Sequence, residues 1–127
     1  METFSFGGFM REGGWGMWPV LLLGIVGVAS ATRYVVRPER YCLRFVGVLW
    51  LTLLMVVAHA TVTDLAAVFH GLGDTDRFPA EQLPRVLLIG LKESSRPAAL
   101  GGIFLSLLPL LAAAGIYRES VSAARDA

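Results

Sequence analysis

The residues able to do chemistry in apolar surroundings cluster in one stretch: His59, Thr61, Thr63 and Asp64 interrupt an otherwise apolar segment, and His70 lies just beyond. At a helical period of about 3.6 residues, Asp64 falls roughly a turn past Thr61 and projects the same way, whereas His59, Thr63 and His70 take a different face. Ionisable groups within hydrocarbon are costly and by default mark ion or proton routes; the plainer reading of Asp64 and His70 is a wet position near headgroups. Glu93 is a further candidate, because it precedes a charge-free run by a few residues, and Arg96, three positions on, can pair with it. Metal binding is not expected, since His59 and His70 lie far apart in sequence with no helping thiol. The lone Cys42 excludes an intrachain disulfide and reads as a small side chain. No phosphate loop, nucleophile–base pair or His/Glu metal motif is present, so neither an enzyme nor a cofactor is expected. A formal net charge of +1 gives no case for a nucleic-acid partner.

The elements that must position these groups are helices in lipid. From Gly13 to Thr32 no charged side chain occurs, a run of about 20 residues, which is what a helix needs to cross ~30 Å of hydrocarbon. The hydrophobic share of 55% and charged share of 17% place the chain well away from the roughly 25% charge of a soluble domain. Three spans are expected, about 17–34, 44–72 and 83–118, within one domain covering residues 1–127. Trp15 and Trp18 sit where an aromatic belt would lie, and Pro19 falls in the first turn, where its missing N–H costs least. Pro38 marks the first reversal, and Pro79 and Pro84 mark the second. Pro109 should kink the last span. The flank of the first span carries Glu2, Arg11 and Glu12 rather than a basic cluster, unlike a cleaved signal peptide. Residues 1–14, with Phe4, Phe6, Phe9 and Met10 among glycines, read equally as an interfacial segment or a flexible tail.

Orientation follows from the basic residues. Arg33, Arg37, Arg40 and Arg44 around the first connection face only Glu39, so that connection should be cytoplasmic, with the amino terminus outside and the carboxyl terminus inside. Small residues offer helix contacts: Gly27 and Ala31 on the first span, and Ala98, Gly102 and Ser106 at four-residue spacing on the third. Three helices bury little of one another, so a homo-oligomer or a tightly held partner is expected.

The segments resemble, in order, the MotA/TolQ/ExbB proton channel family. Glu12-Gly13-Gly14-Trp15-Gly16-Met17-Trp18-Pro19-Val20-Leu21-Leu22-Leu23 looks like the family's glycine–aromatic–Met–aromatic–Pro–Leu opening. Ala60-Thr61-Val62 followed by Phe69 resembles its Gly-Thr-Val segment and later Phe. Gly90-Leu91-Lys92-Glu93 resembles its Gly-Ile-x-Glu, and Ala98-Ala99-Leu100-Gly101 its Thr-Ala-x-Gly, with Pro109 and Tyr117 following. The resemblance implies a pentamer in a bacterial inner membrane, whose second and third helices surround single helices of an ExbD/TolR/MotB-like partner. On this pattern Thr61 matches the pore threonine and Glu93 the third-helix glutamate. Ala98 stands where the family has a threonine, with Ser95 the nearby hydroxyl, and the family's large cytoplasmic domain is reduced to about a dozen residues, a hairpin-length connection. The expected function is therefore a compact energy-transducing subunit driven by the proton-motive force, with a path along Thr61, Asp64, Glu93, Ser95 and Ala98. The alternative is a non-conducting membrane scaffold or assembly subunit.

Overall fold

A computed structural model describes residues 3–74 and 76–127, and the described residues form helices and connections without a strand. The helices are α1 (Phe6–Glu12), α2 (Met17–Val36), α3 (Arg40–Gly73), α4 (Leu83–Ser94) and α5 (Arg96–Asp126), with a 3₁₀ turn at Ala80–Gln82 before α4. α2, α3 and the α4–α5 unit are each long and apolar enough to cross a membrane. α2 matches the hydrocarbon thickness, whereas α3 and α5, at 34 and 31 residues, exceed it, since about 1.5 Å per residue makes each more than 45 Å long.

Sequence and structure differ at the helix ends. The first span runs two residues past Tyr34, and the second starts at Arg40 rather than Arg44. Charge marks where hydrocarbon ends, whereas the backbone can stay helical in water until a breaker intervenes. The breaker here is Pro38: Arg37 before it is extended (φ −130°, ψ 95°), as the proline ring requires. The third expected span, 83–118, divides at Ser95 into α4 and α5, and α5 continues to Asp126. Pro97 causes the division, because it has no N–H to return to the Glu93 carbonyl.

α1 is too short to be stable alone. Ser5 caps it, its hydroxyl accepting the Gly8 N–H at 3.4 Å. Met10 anchors it in a core with Met17, Val20, Leu53, Val57 and Leu100. Gly14, at φ +76°, makes the left-handed turn that folds α1 back onto the bundle.

The most extensive helix contact joins α2 to α5. Glycines bring the two backbones together: Gly24 faces the Phe104 ring, Gly27 faces Leu108 and Gly115 faces Tyr34. A Cβ added at Gly27 would stand 2.7 Å from Leu108 Cδ2. Ala31 is buried in the same seam, beside Leu108 and Val46. On α5, Gly101 lies against Val57 and so admits α3. In contrast, a Cβ at Gly102 would meet nothing within 4 Å, and Ala98 and Ser106 are exposed. Their shared face therefore points away from α2 and α3.

Pro109 lies within α5. α5 runs unbroken through it, and the carbonyl its missing N–H releases, that of Leu105, accepts the Trp50 indole N–H at 2.8 Å. An unpaired carbonyl in apolar surroundings would cost free energy, so a side chain of α3 completes the hydrogen bonding of α5. Outside these seams the helices carry exposed apolar side chains all round, including Leu22, Ile25, Val48, Met55, Ile103 and Leu110. Such a surface suits lipid or further helices.

Candidate functional site

Asp64 and Glu93, from different helices, line one cavity of about 300 Å³ together with Glu12. Close backbone approach assembles it. Gly16 rests on Ala60, where an added Cβ would lie 2.7 Å from the alanine Cβ. This contact sets α3 against the Gly13–Gly14 turn one helical turn before Asp64. A Cβ at Gly14 would be 3.8 Å from Asp64 Oδ1, so the carboxylate lies alongside that turn. Gly90 lies against Val68, bringing α4 onto α3 and delivering Glu93 and Ser94 to the cavity. Ser94 is buried and donates its hydroxyl to the Gly90 carbonyl at 2.8 Å.

Charge is divided unevenly around this cavity. Arg96 forms an ion pair with Glu12, not with Glu93. The guanidinium also stands 5.5 Å from the Phe9 ring centre, with Nη1 3.4 Å from the Phe9 carbonyl. α1 is thus tied to the start of α5 through one arginine. Asp64 is half-buried, Glu93 is exposed, and among the described residues neither has an ion-pair partner. The same residues contain no group of His, Cys, Asp and Glu able to hold a metal ion. Two carboxylates free of cations at one hollow, whose other walls include Ala67 and Val68, can exchange protons or attract a cation.

The other expected site residues are placed differently. Thr61 is half-buried and turns its hydroxyl to the Val57 carbonyl of its own helix, at 2.8 Å. It lies one turn from Asp64 on the same side of α3, whereas His59, Thr63 and His70 are exposed. Ser95 is exposed and donates to the Lys92 carbonyl at 2.8 Å; like Ala98, it does not line the cavity. Glu12 is the member that sequence reasoning missed. It reads as a flank charge, and the available signal was its position directly before the Gly13-Gly14 turn.

At the opposite end, polar side chains satisfy neighbouring helices. The Tyr34 hydroxyl donates to Glu119 at 3.1 Å, and Arg118 Nη1 donates to the Val35 carbonyl at 2.6 Å. Arg33 Nη2 donates to the Tyr41 hydroxyl at 3.3 Å. Comparison with family models, curated proteins and solved structures finds no match for this chain.

Proposed function

We propose that the chain is a multi-pass subunit of a proton-driven membrane complex of the MotA/TolQ/ExbB kind, in which Asp64 and Glu93 form a proton-exchange site. The supporting observation is the convergence of these two carboxylates on one cavity without a cation partner among the described residues. Thr61, a turn away on the same side of α3 though outside the cavity, would extend such a path along the helix. The exposed apolar faces of all three spans support assembly into a ring around a partner helix in a bacterial inner membrane. A second reading, a non-conducting scaffold, draws on the outward Ala98/Gly102/Ser106 face, which offers close packing to a foreign helix.

Proton flux in liposomes holding the complex purified from its native membrane separates these readings. Under the first, Asp64→Asn combined with Glu93→Gln abolishes flux and leaves the complex intact; unchanged flux in that double variant would sink it. In the proposed orientation the α2–α3 connection is cytoplasmic. Cys42 is a poor reporter of this because it is buried. A cysteine introduced at exposed Arg37, in a Cys42→Ser background, should resist impermeant thiol reagents until the cells are lysed.

A further inference from the structure

A groove of about 470 Å³ lies between the end of α2 and the start of α3, lined by Ser30, Arg33, Tyr41, Cys42 and Phe45. We propose that it binds an acidic phospholipid, with the phosphate on Arg33 at the mouth and part of one acyl chain along Phe45. The inference rests on the helices spanning a membrane and is independent of proton exchange and of orientation.

Position is the first argument. Arg33 and Tyr41 lie within a turn of the helix ends, whereas Ser30 and Phe45 lie further in. At about 1.5 Å per residue, the groove reaches roughly 8–9 Å from the helix ends toward the bundle centre. A lipid descends in the same direction from headgroup to chain. Chemistry is the second argument. Cys42 is buried in the floor, half-exposed Phe45 forms a wall, and Ser30 has turned its hydroxyl to the Val26 carbonyl at 2.8 Å. No polar group inside the groove is left asking for water, and the polar atoms stand at its mouth.

Charge is the third argument. Arg33 lines the groove, and Arg37, Arg40 and Arg44 follow it in the sequence around the connection, whose one acidic residue is Glu39. Arg33 has no ion pair among the described residues, and its hydrogen bond goes to the Tyr41 oxygen. The Tyr41 proton is turned toward the Glu39 carboxylate, so the donors left for a phosphate are the remaining N–H groups of Arg33. Arginine and phosphate match in geometry as well as charge. On α5, Glu119 is engaged by Tyr34 and Arg118 by the Val35 carbonyl, so neither competes here. A second copy of this arginine-rich end would be repelled, and a soluble anion would leave the apolar wall uncovered.

Native mass spectrometry of the whole protein in neutral detergent tests this, with equal amounts of phosphatidylglycerol and phosphatidylcholine of identical chains. The wild type should retain phosphatidylglycerol about tenfold over phosphatidylcholine. Arg33→Gln should remove the preference, and Arg33→Lys should keep part of it. Arg37→Gln should change it by less than about twofold, because that side chain is outside the groove. No preference in the wild type would overturn the proposal. So would an equal loss in Arg37→Gln, which would mean diffuse charge, or displacement of the lipid by glycerol 3-phosphate, which would mean that the chain contributes nothing.

Discussion

At the α2–α3 end of the bundle, charged and hydroxyl groups reach across to neighbouring helices: Arg118 binds a carbonyl of α2, and Tyr34 binds Glu119 of α5. At the α1–α4 end, Arg96 binds Glu12, while Asp64 and Glu93 face a cavity with no cation on them among the described residues. A half-buried carboxylate such as Asp64 is expected to have a partner, because burial without one is costly; exposed Glu93 carries no such penalty. Arg33 at the first end also lacks an ion pair but is exposed, so the difference rests on Asp64, the half-buried carboxylate without a cation among the described residues. The middle is held differently again, by glycine seams and one indole.

The largest effect should come from the α2–α5 seam. Gly27→Leu places a side chain where even a Cβ would stand 2.7 Å from Leu108. Overpacking of this kind costs about 1–3 kcal/mol or more, so the thermal midpoint in detergent should fall sharply. Gly102→Leu, facing open space, should leave the isolated protomer's midpoint unchanged while weakening any assembly that uses this face. Equal midpoints for both variants would mean that the seam does not hold the bundle.

An intermediate effect is expected at the indole. Trp50→Phe strands the Leu105 carbonyl and should cost about 1–3 kcal/mol. Pro109→Ala returns an N–H to that carbonyl, so the loss on Trp50→Phe should shrink in the Pro109→Ala background. Additive losses in the double-mutant cycle would show that the carbonyl is not the shared element.

The smallest effect belongs to Arg96. Arg96 is 11% exposed, but its partner Glu12 is 56% exposed, so water screens the pair and it contributes about 0–1 kcal/mol. Arg96→Gln should barely move global stability, yet amide exchange across residues 6–12 should quicken, because α1 is otherwise held only by Met10 and the half-buried Phe9. Unaltered exchange there would shift the credit to the Met10 anchor.

Much of the architecture was legible because lipid imposes long charge-free runs, and those runs locate α2, α3 and α5. Helix ends were less legible: Arg40 is a poor marker of where a helix stops, and Pro38 a good one. The third-span break at Ser95 was signalled by Pro97, although Pro109 draws the eye as the interior proline. Of the site, the common side of Thr61 and Asp64 followed from helical period. The Glu12–Arg96 pair did not, because spacing alone favours the local Glu93, and only the fold brings a residue 84 positions away closer. Trp50 and Leu105 were hidden for the same reason, since nothing local says which helix an indole will meet.

The α2–α5 seam joins the first long helix to the last. A ribosome delivers α2 well before α5, with residues 37–95 between them. At about 5–20 residues per second, synthesis of that interval takes on the order of several seconds. Throughout it, the glycine face of α2 has no Phe104 or Leu108 to meet. The short Arg37–Glu39 connection lets α2 and α3 pair early, but the bundle closes only once α5 has followed them out.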